Sequence, residues 1–135
     1  MEPTLKIPSN FIHSIETYMQ SCLPEEGCGL LAGVDNLILD WYPITNTLHD
    51  PVLYQMDAQE QLTAFLEIEN RGMQLLAIVH SHPRGQSYPS ITDISEAYYP
   101  EVVYIIYAPK DRSWVISGYS INEGKLKNVK IEEIE

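Results

Sequence analysis

The chain has 135 residues, 44% of them hydrophobic, and its 8 basic and 19 acidic residues give a net charge of −11. That length fits one domain, residues 1–135, able to bury roughly two-thirds of its unfolded surface without staples, while the charge argues against nucleic-acid phosphates and anionic membranes as main partners. Two cysteines, Cys22 and Cys28, form no paired framework, and no apolar run approaches the ~20 residues of a membrane span. The opening Met1–Lys6 lacks the basic-then-apolar pattern of a leader, so a cytoplasmic location is expected.

In chain order, Leu5-Lys6-Ile7 is expected to be a short strand. Pro8-Ser9-Asn10 opens a helix in which Phe11, Ile12, Ile15, Tyr18, Met19 and Cys22 recur at helical spacing, and Pro24 stops it. Gly29–Val34 and Leu37–Tyr42 read as a hairpin around Asp35-Asn36. Pro43 to Pro51 is a loop, and Val52 to Met56 a short strand. Asp57, with Glu60 three residues on, marks the N-cap of a helix that turns Leu62, Phe65, Leu66 and Ile68 inward and closes at Arg71-Gly72. Leu75–Val79 reads as a buried strand, Pro83–Pro89 as a polar loop, and a short helix begins around Ile91. Strands follow at Val102–Tyr107, Ser113–Ser120 and Lys125–Ile134, the last as a sheet edge. Its Lys125, Lys127 and Lys130 discourage open-ended pairing, which favours a monomer or closed homodimer. Strands and helices mix without regular alternation, so the fold class is α/β or α+β.

The chemistry concentrates in His80-Ser81-His82-Pro83 and Ser90-Ile91-Thr92-Asp93. Residues i and i+2 of a strand face one side, so His80 and His82 leave the sheet in the same direction. With Asp93 they offer three ligands to one metal, leaving a position open for water as in catalytic zinc sites. Ser90 and Asp93 also form a helix-capping pattern, and a capped helix would hold Asp93 toward the histidines with the Ser90 hydroxyl free to donate. A hydrolytic metal site needs a base that is not a ligand. Glu26 is the candidate, although the 53 residues between it and His80 mean that spacing says nothing about its position. Cys28, before a glycine and an apolar strand, reads as a small buried hydrophobe rather than a nucleophile. His13 and His49 read as surface residues.

Glu26, then His80-Ser81-His82, seven residues, Ser90, two residues and Asp93 resemble the JAMM motif of the Jab/MPN metalloprotease family, and Glu26-Gly27-Cys28-Gly29 is similar to that family's opening segment. The resemblance implies a curved mixed β-sheet flanked by helices, akin to the cytidine deaminase architecture. It implies zinc, one per chain, held by His80, His82 and Asp93. Glu26 would be general base and Ser90 the oxyanion stabiliser. The implied reaction is hydrolysis of a peptide or isopeptide bond after the C-terminal glycine of a ubiquitin-like or sulfur-carrier protein. Only nineteen residues, Ser81 to Tyr99, separate His80 from Pro100. That leaves little room for the insertions of eukaryotic members, and the chain resembles the small stand-alone prokaryotic type. Two other classes compete. A zinc-binding scaffold without activity would be expected to have lost Glu26, Ser90 or a ligand. A nucleobase deaminase would need His-x-Glu and Pro-Cys-x-x-Cys, which do not occur.

Overall fold

The computed structural model describes residues 3–135; the leader reading at Met1-Glu2 therefore lies outside the described residues. The elements run β1 (Thr4–Pro8), α1 (Ser9–Cys22), β2 (Cys28–Val34), β3 (Leu37–Ile44), α2 (Ala58–Asn70), β4 (Gln74–Ser81), α3 (Ile91–Ser95), β5 (Val103–Lys110), β6 (Ser113–Asn122) and β7 (Lys125–Ile134). This is the expected mixed sheet with flanking helices. The sheet curves until it closes, in the order β1-β3-β2-β4-β5-β6-β7. The closing seam is narrow, with Lys6 opposite Leu37 joining β1 to β3.

Strand alternation sorts the apolar side chains into two clusters. Along β4, Ala77 and Val79 join a core with Leu5, Ile7, Ile38, Tyr107 and the α1 residues Ile12, Ile15 and Met19. Ile78, between them, joins the opposite cluster with Cys28, Leu30, Tyr104 and Ala64 of α2. His80 has the parity of Ile78 and so extends the second face beyond the end of the apolar run. β4 and β5 pair in parallel, with His80 opposite Ile106, so the chain between them must cross back. That crossover carries Ser90 and Asp93. The site therefore lies at the carboxyl end of a parallel strand, where open α/β sheets place ligands.

Three expectations need correction. Lys125–Ile134 is not an edge: β7 pairs with β6 on one side and in parallel with β1 on the other, with Leu5 opposite Ile131. Lys125, Lys127 and Lys130 therefore guard no free sheet edge and bear on no oligomeric state. Val52–Met56 is not a strand, apart from a single bridge between Met56 and Asn46. Side chains take the backbone groups that a neighbouring strand would have used. Asn46 donates from Nδ2 to the Leu53 carbonyl and accepts the Gln55 N–H on Oδ1, while Asp50 accepts the Val52 N–H. In α2, Ala64 and Ile68 face the core with Phe65 packed beside them, whereas Leu62 and Leu66 are exposed. The buried stripe therefore runs through Ala64 and Ile68 rather than through the two leucines.

Candidate metal centre

His80 and His82 are buried, 1% and 7% exposed, at the point where β4 leaves the sheet. His80 lies between Cys28 of β2 and Ile106 of β5, and its ring stacks on Tyr54 at a centroid distance of 4.8 Å and an interplanar angle of 27°. His82 donates its backbone N–H to the Tyr107 carbonyl and its Nδ1–H to the Gln86 carbonyl at 2.7 Å. A carbonyl only accepts, so in the neutral ring Nε2 carries the lone pair.

Asp93 comes from the opposite side. Ser90 is the N-cap of α3 in a reciprocal capping box. Its Oγ accepts the Asp93 N–H at 3.0 Å, and Asp93 Oδ2 accepts the Ser90 N–H at 2.8 Å. The same Oδ2 lies 3.2 Å from His80 Nε2 and 3.0 Å from His82 Nε2, and the two imidazole nitrogens are 3.0 Å apart. These three donors satisfy the requirement of a zinc ion closely. Bonds of 2.0–2.1 Å at tetrahedral angles separate ligand atoms by roughly 3.3 Å, and two nitrogens with one carboxylate oxygen is a donor set of catalytic zinc sites. His80, His82 and Asp93 are the one group among the described residues whose ligand atoms converge in this way.

Glu26 reaches the same place from the start of β2. Its backbone N–H donates to Asp50, and its carbonyl accepts from Asn46 Nδ2. Next to it, Gly27 is bound in both directions to the residue between the histidines: Gly27 N–H donates to Ser81 Oγ at 2.8 Å, and Ser81 N–H to the Gly27 carbonyl. Gly27 is also tightly packed, since a Cβ there would lie 2.5 Å from Met19 Sδ of α1 and would force that side chain to shift. Glu26 is 4% exposed and its Oε1 has no hydrogen-bond partner. It shares a cavity of about 240 Å³ with His82, Arg84, Gln86 and Ser90. A separate groove of about 610 Å³, lined by Leu48, Tyr54, Met56, Tyr98, Tyr99 and Tyr104, adjoins the cluster through Tyr54, which stacks on His80.

Burial acts differently on each group. It pushes the Glu26 carboxyl up to about 8, against an opposing attraction to His82 and with repulsion from Asp93 and Asp50. It would raise Asp93 too, but the hydrogen bonds with His80 and His82, the charge of His80 and the Ser90 N–H outweigh it and hold that carboxyl well below the usual carboxylate range. Burial lowers His80 below the ordinary imidazole value. It also acts to lower His82, where the bonds to Asp93 and the Gln86 carbonyl prevail and raise it. Cys28 is fully buried, donates from Sγ to the Ile44 carbonyl, and is pushed by burial to about 12. A thiol so protonated is no nucleophile. His13 is exposed, and exposed His49 has its Nδ1 within 3.0 Å of Glu25 Oε1.

All five residues singled out by the sequence thus gather at one end of β4. Sequence reasoning missed Ser81, Asn46, Tyr54 and the Gln86 carbonyl, which hold them there. The serine between the two histidines was the one available signal, since a small hydroxyl in a strand end can bind backbone that a neighbouring segment leaves unpaired.

A family model described as prokaryotic homologs of the JAB domain matches residues 8–117. The chain belongs to that family. It is 32% identical over 130 residues to a desampylase of Pyrococcus furiosus, covering 95% of this chain and 89% of the relative. It is 27% identical over 134 residues to a CysO-cysteine peptidase of Mycobacterium tuberculosis, covering 97% and 92%. Among solved structures, a Desulfitobacterium hafniense protein determined in solution superposes with a TM-score of 0.87 at 26% identity, covering 97% of this chain and 93% of that one. Among the described residues, no helix is long and apolar enough to cross a membrane.

Proposed function

We propose that this chain is a zinc-dependent peptidase that hydrolyses the bond after the C-terminal glycine of a ubiquitin-like or sulfur-carrier protein. The observation that carries the reading is the pairing of a three-donor cluster, His80, His82 and Asp93, with a buried carboxyl, Glu26, that lines the same cavity as Ser90 and has an oxygen without a hydrogen-bond partner. Relatives named as a CysO-cysteine peptidase and a desampylase support the hydrolytic class.

A zinc ion held by His80, His82 and Asp93 would supply acidity to a water near neutral pH and polarise the scissile carbonyl. The chain's own residues do the rest. Glu26 accepts the proton of the attacking water and returns it to the leaving nitrogen, so that the new C–O bond forms and the C–N bond breaks without a net change of charge. Ser90 accepts the Asp93 N–H on its oxygen and so keeps its own O–H to donate to the oxyanion. Gln86 and Tyr54 fix the two imidazole rings. A glycine tail suits the approach, because it can lie extended where side chains would clash.

The test compares a folded carrier fused after its Gly-Gly tail with casein, using protein at measured zinc content. Cleavage of the fusion directly after the second glycine, with slow turnover of casein, is the expected result. Faster turnover of casein would remove the proposed specificity. Cleavage of neither by fully zinc-loaded protein would favour a zinc-binding scaffold.

A further inference from the structure

The two cavities beside the triad differ in charge, and that difference bears on which bond the enzyme cuts. Arg84 is the one Lys or Arg side chain lining the Glu26 cavity. In a chain of 8 basic and 19 acidic residues, it has no carboxylate within salt-bridge distance among the described residues. Even Glu26, in the same cavity, leaves Oε1 unpartnered.

Although the side chain is exposed, its backbone is fixed relative to the metal ligands. The Gly85 N–H donates to the His82 carbonyl at 2.9 Å, closing a β-turn with Pro83 and Arg84 at its centre. Pro presets the first central position of such a turn. Gly85 takes a φ of +117° that suits glycine. One residue on, the Gln86 carbonyl accepts from the His82 ring. Arg84 is thus mounted on a turn tied at both ends to His82.

The direction of the substrate follows from the proton path. Glu26 must return its proton to the leaving nitrogen, so the leaving group lies on the Glu26 side of the triad. The tyrosine-lined groove, which shares no lining residue with the Glu26 cavity, is left for the acyl tail. A cavity of about 240 Å³ is slightly below the roughly 300–1,000 Å³ of drug-sized ligand sites, a size for one amino acid. An α-amino acid that leaves through its own nitrogen carries its carboxylate one carbon away, on the same side as that nitrogen. A lysine side chain that leaves through its terminal amine brings no carboxylate there.

We propose that Arg84 is a specificity-determining residue that binds the α-carboxylate of the departing group, so that the preferred substrate is a carrier tail amide-linked to a single free amino acid rather than to a lysine side chain. This rests on the hydrolytic reading above and narrows it. The planar guanidinium presents paired donors that match a carboxylate.

The probe is a ubiquitin-fold carrier ending in Gly-Gly and amide-linked to one cysteine, prepared as the free acid and as the carboxamide. A third form links the same tail to the side-chain amine of a lysine blocked at both ends. The expected kcat/KM for the free acid exceeds that for the other two by about tenfold, the low end for a charge-assisted bond because the arginine is exposed. In Arg84→Gln the ratio of acid to carboxamide falls to about one, and Arg84→Lys retains part of it. Calorimetry with the zinc-loaded Glu26→Gln background, which separates binding from turnover, should show tighter binding of the acid form. That difference should vanish when Arg84→Gln is added. Equal turnover of all three forms by the wild type would overturn the role of Arg84 and leave the hydrolytic reading intact, as would a preference that survives Arg84→Gln. Cleavage of none of the three would overturn both.

Discussion

Two carboxylates stand at this site, and the segments that deliver them have opposite character. Asp93 sits at the start of α3, where one oxygen meets a backbone N–H and two imidazoles, and its proton affinity is depressed. Glu26 sits at the mouth of β2, buried with one oxygen unpartnered, and its proton affinity is raised to about 8. The comparison teaches that burial alone does not set the role of a carboxylate. An acid surrounded by donors remains an anion and suits a permanent ligand. An acid surrounded by little suits a group that takes up and releases a proton.

The largest expected break in this contrast is Glu26→Gln. The amide keeps the shape but cannot accept the water's proton, so the hydrolysis rate should fall on the order of 10²–10⁴-fold at unchanged zinc content. Glu25→Gln is the neighbouring control, since Glu25 pairs with exposed His49 and its change should leave the rate nearly intact. Rates for both at matched zinc occupancy decide it, and full activity in Glu26→Gln would sink the assigned base.

Asp93→Ala should act on the metal instead. Elemental analysis should find zinc content well below the wild-type one per chain, because a donor is gone and the two histidines remain. The same change removes half of the capping box, which typically costs about 1 kcal/mol. Equal zinc in variant and wild type would exclude Asp93 as a ligand.

The smallest effect concerns pH. In metal-free protein, folded Glu26 holds its proton up to about pH 8, whereas in the unfolded chain it ionises near 4.5. Between those values the unfolded state binds fewer protons, so stability falls as pH rises. The melting temperature of chelator-treated wild type should therefore drop across that window more than that of Glu26→Gln. His82 is raised mainly by Asp93 and the Gln86 carbonyl and least by Glu26, so most of its contribution cancels in the difference. Parallel curves would show that Glu26 is not buried as a neutral acid.

Much of the metal cluster was legible because its information is local. Strand parity relates His80 to His82, and helix-cap spacing relates Ser90 to Asp93. The position of Glu26 was not legible, since it depends on the Gly27–Ser81 bonds that span 54 positions. The family resemblance named the residue, and the fold shows how it arrives. Val52–Met56 misled because its apolar run resembles a strand, while the bonds that prevent one come from the side chains of Asn46 and Asp50. The final strand misled for a related reason. Whether Lys125–Ile134 has one neighbour or two depends on β1, at the far end of the sequence.

The double duty of Asp93 Oδ2 ties two equilibria together. The same oxygen closes the capping box of a five-residue helix and converges with both imidazole nitrogens. Whatever orders that short helix also assembles the cluster, and a cation that binds the ordered form shifts the helix toward order by mass action. Loading and local folding then become one process seen from two sides. A disturbance anywhere in the Ser90 turn would be felt as weakened affinity, even where no ligand atom has been touched.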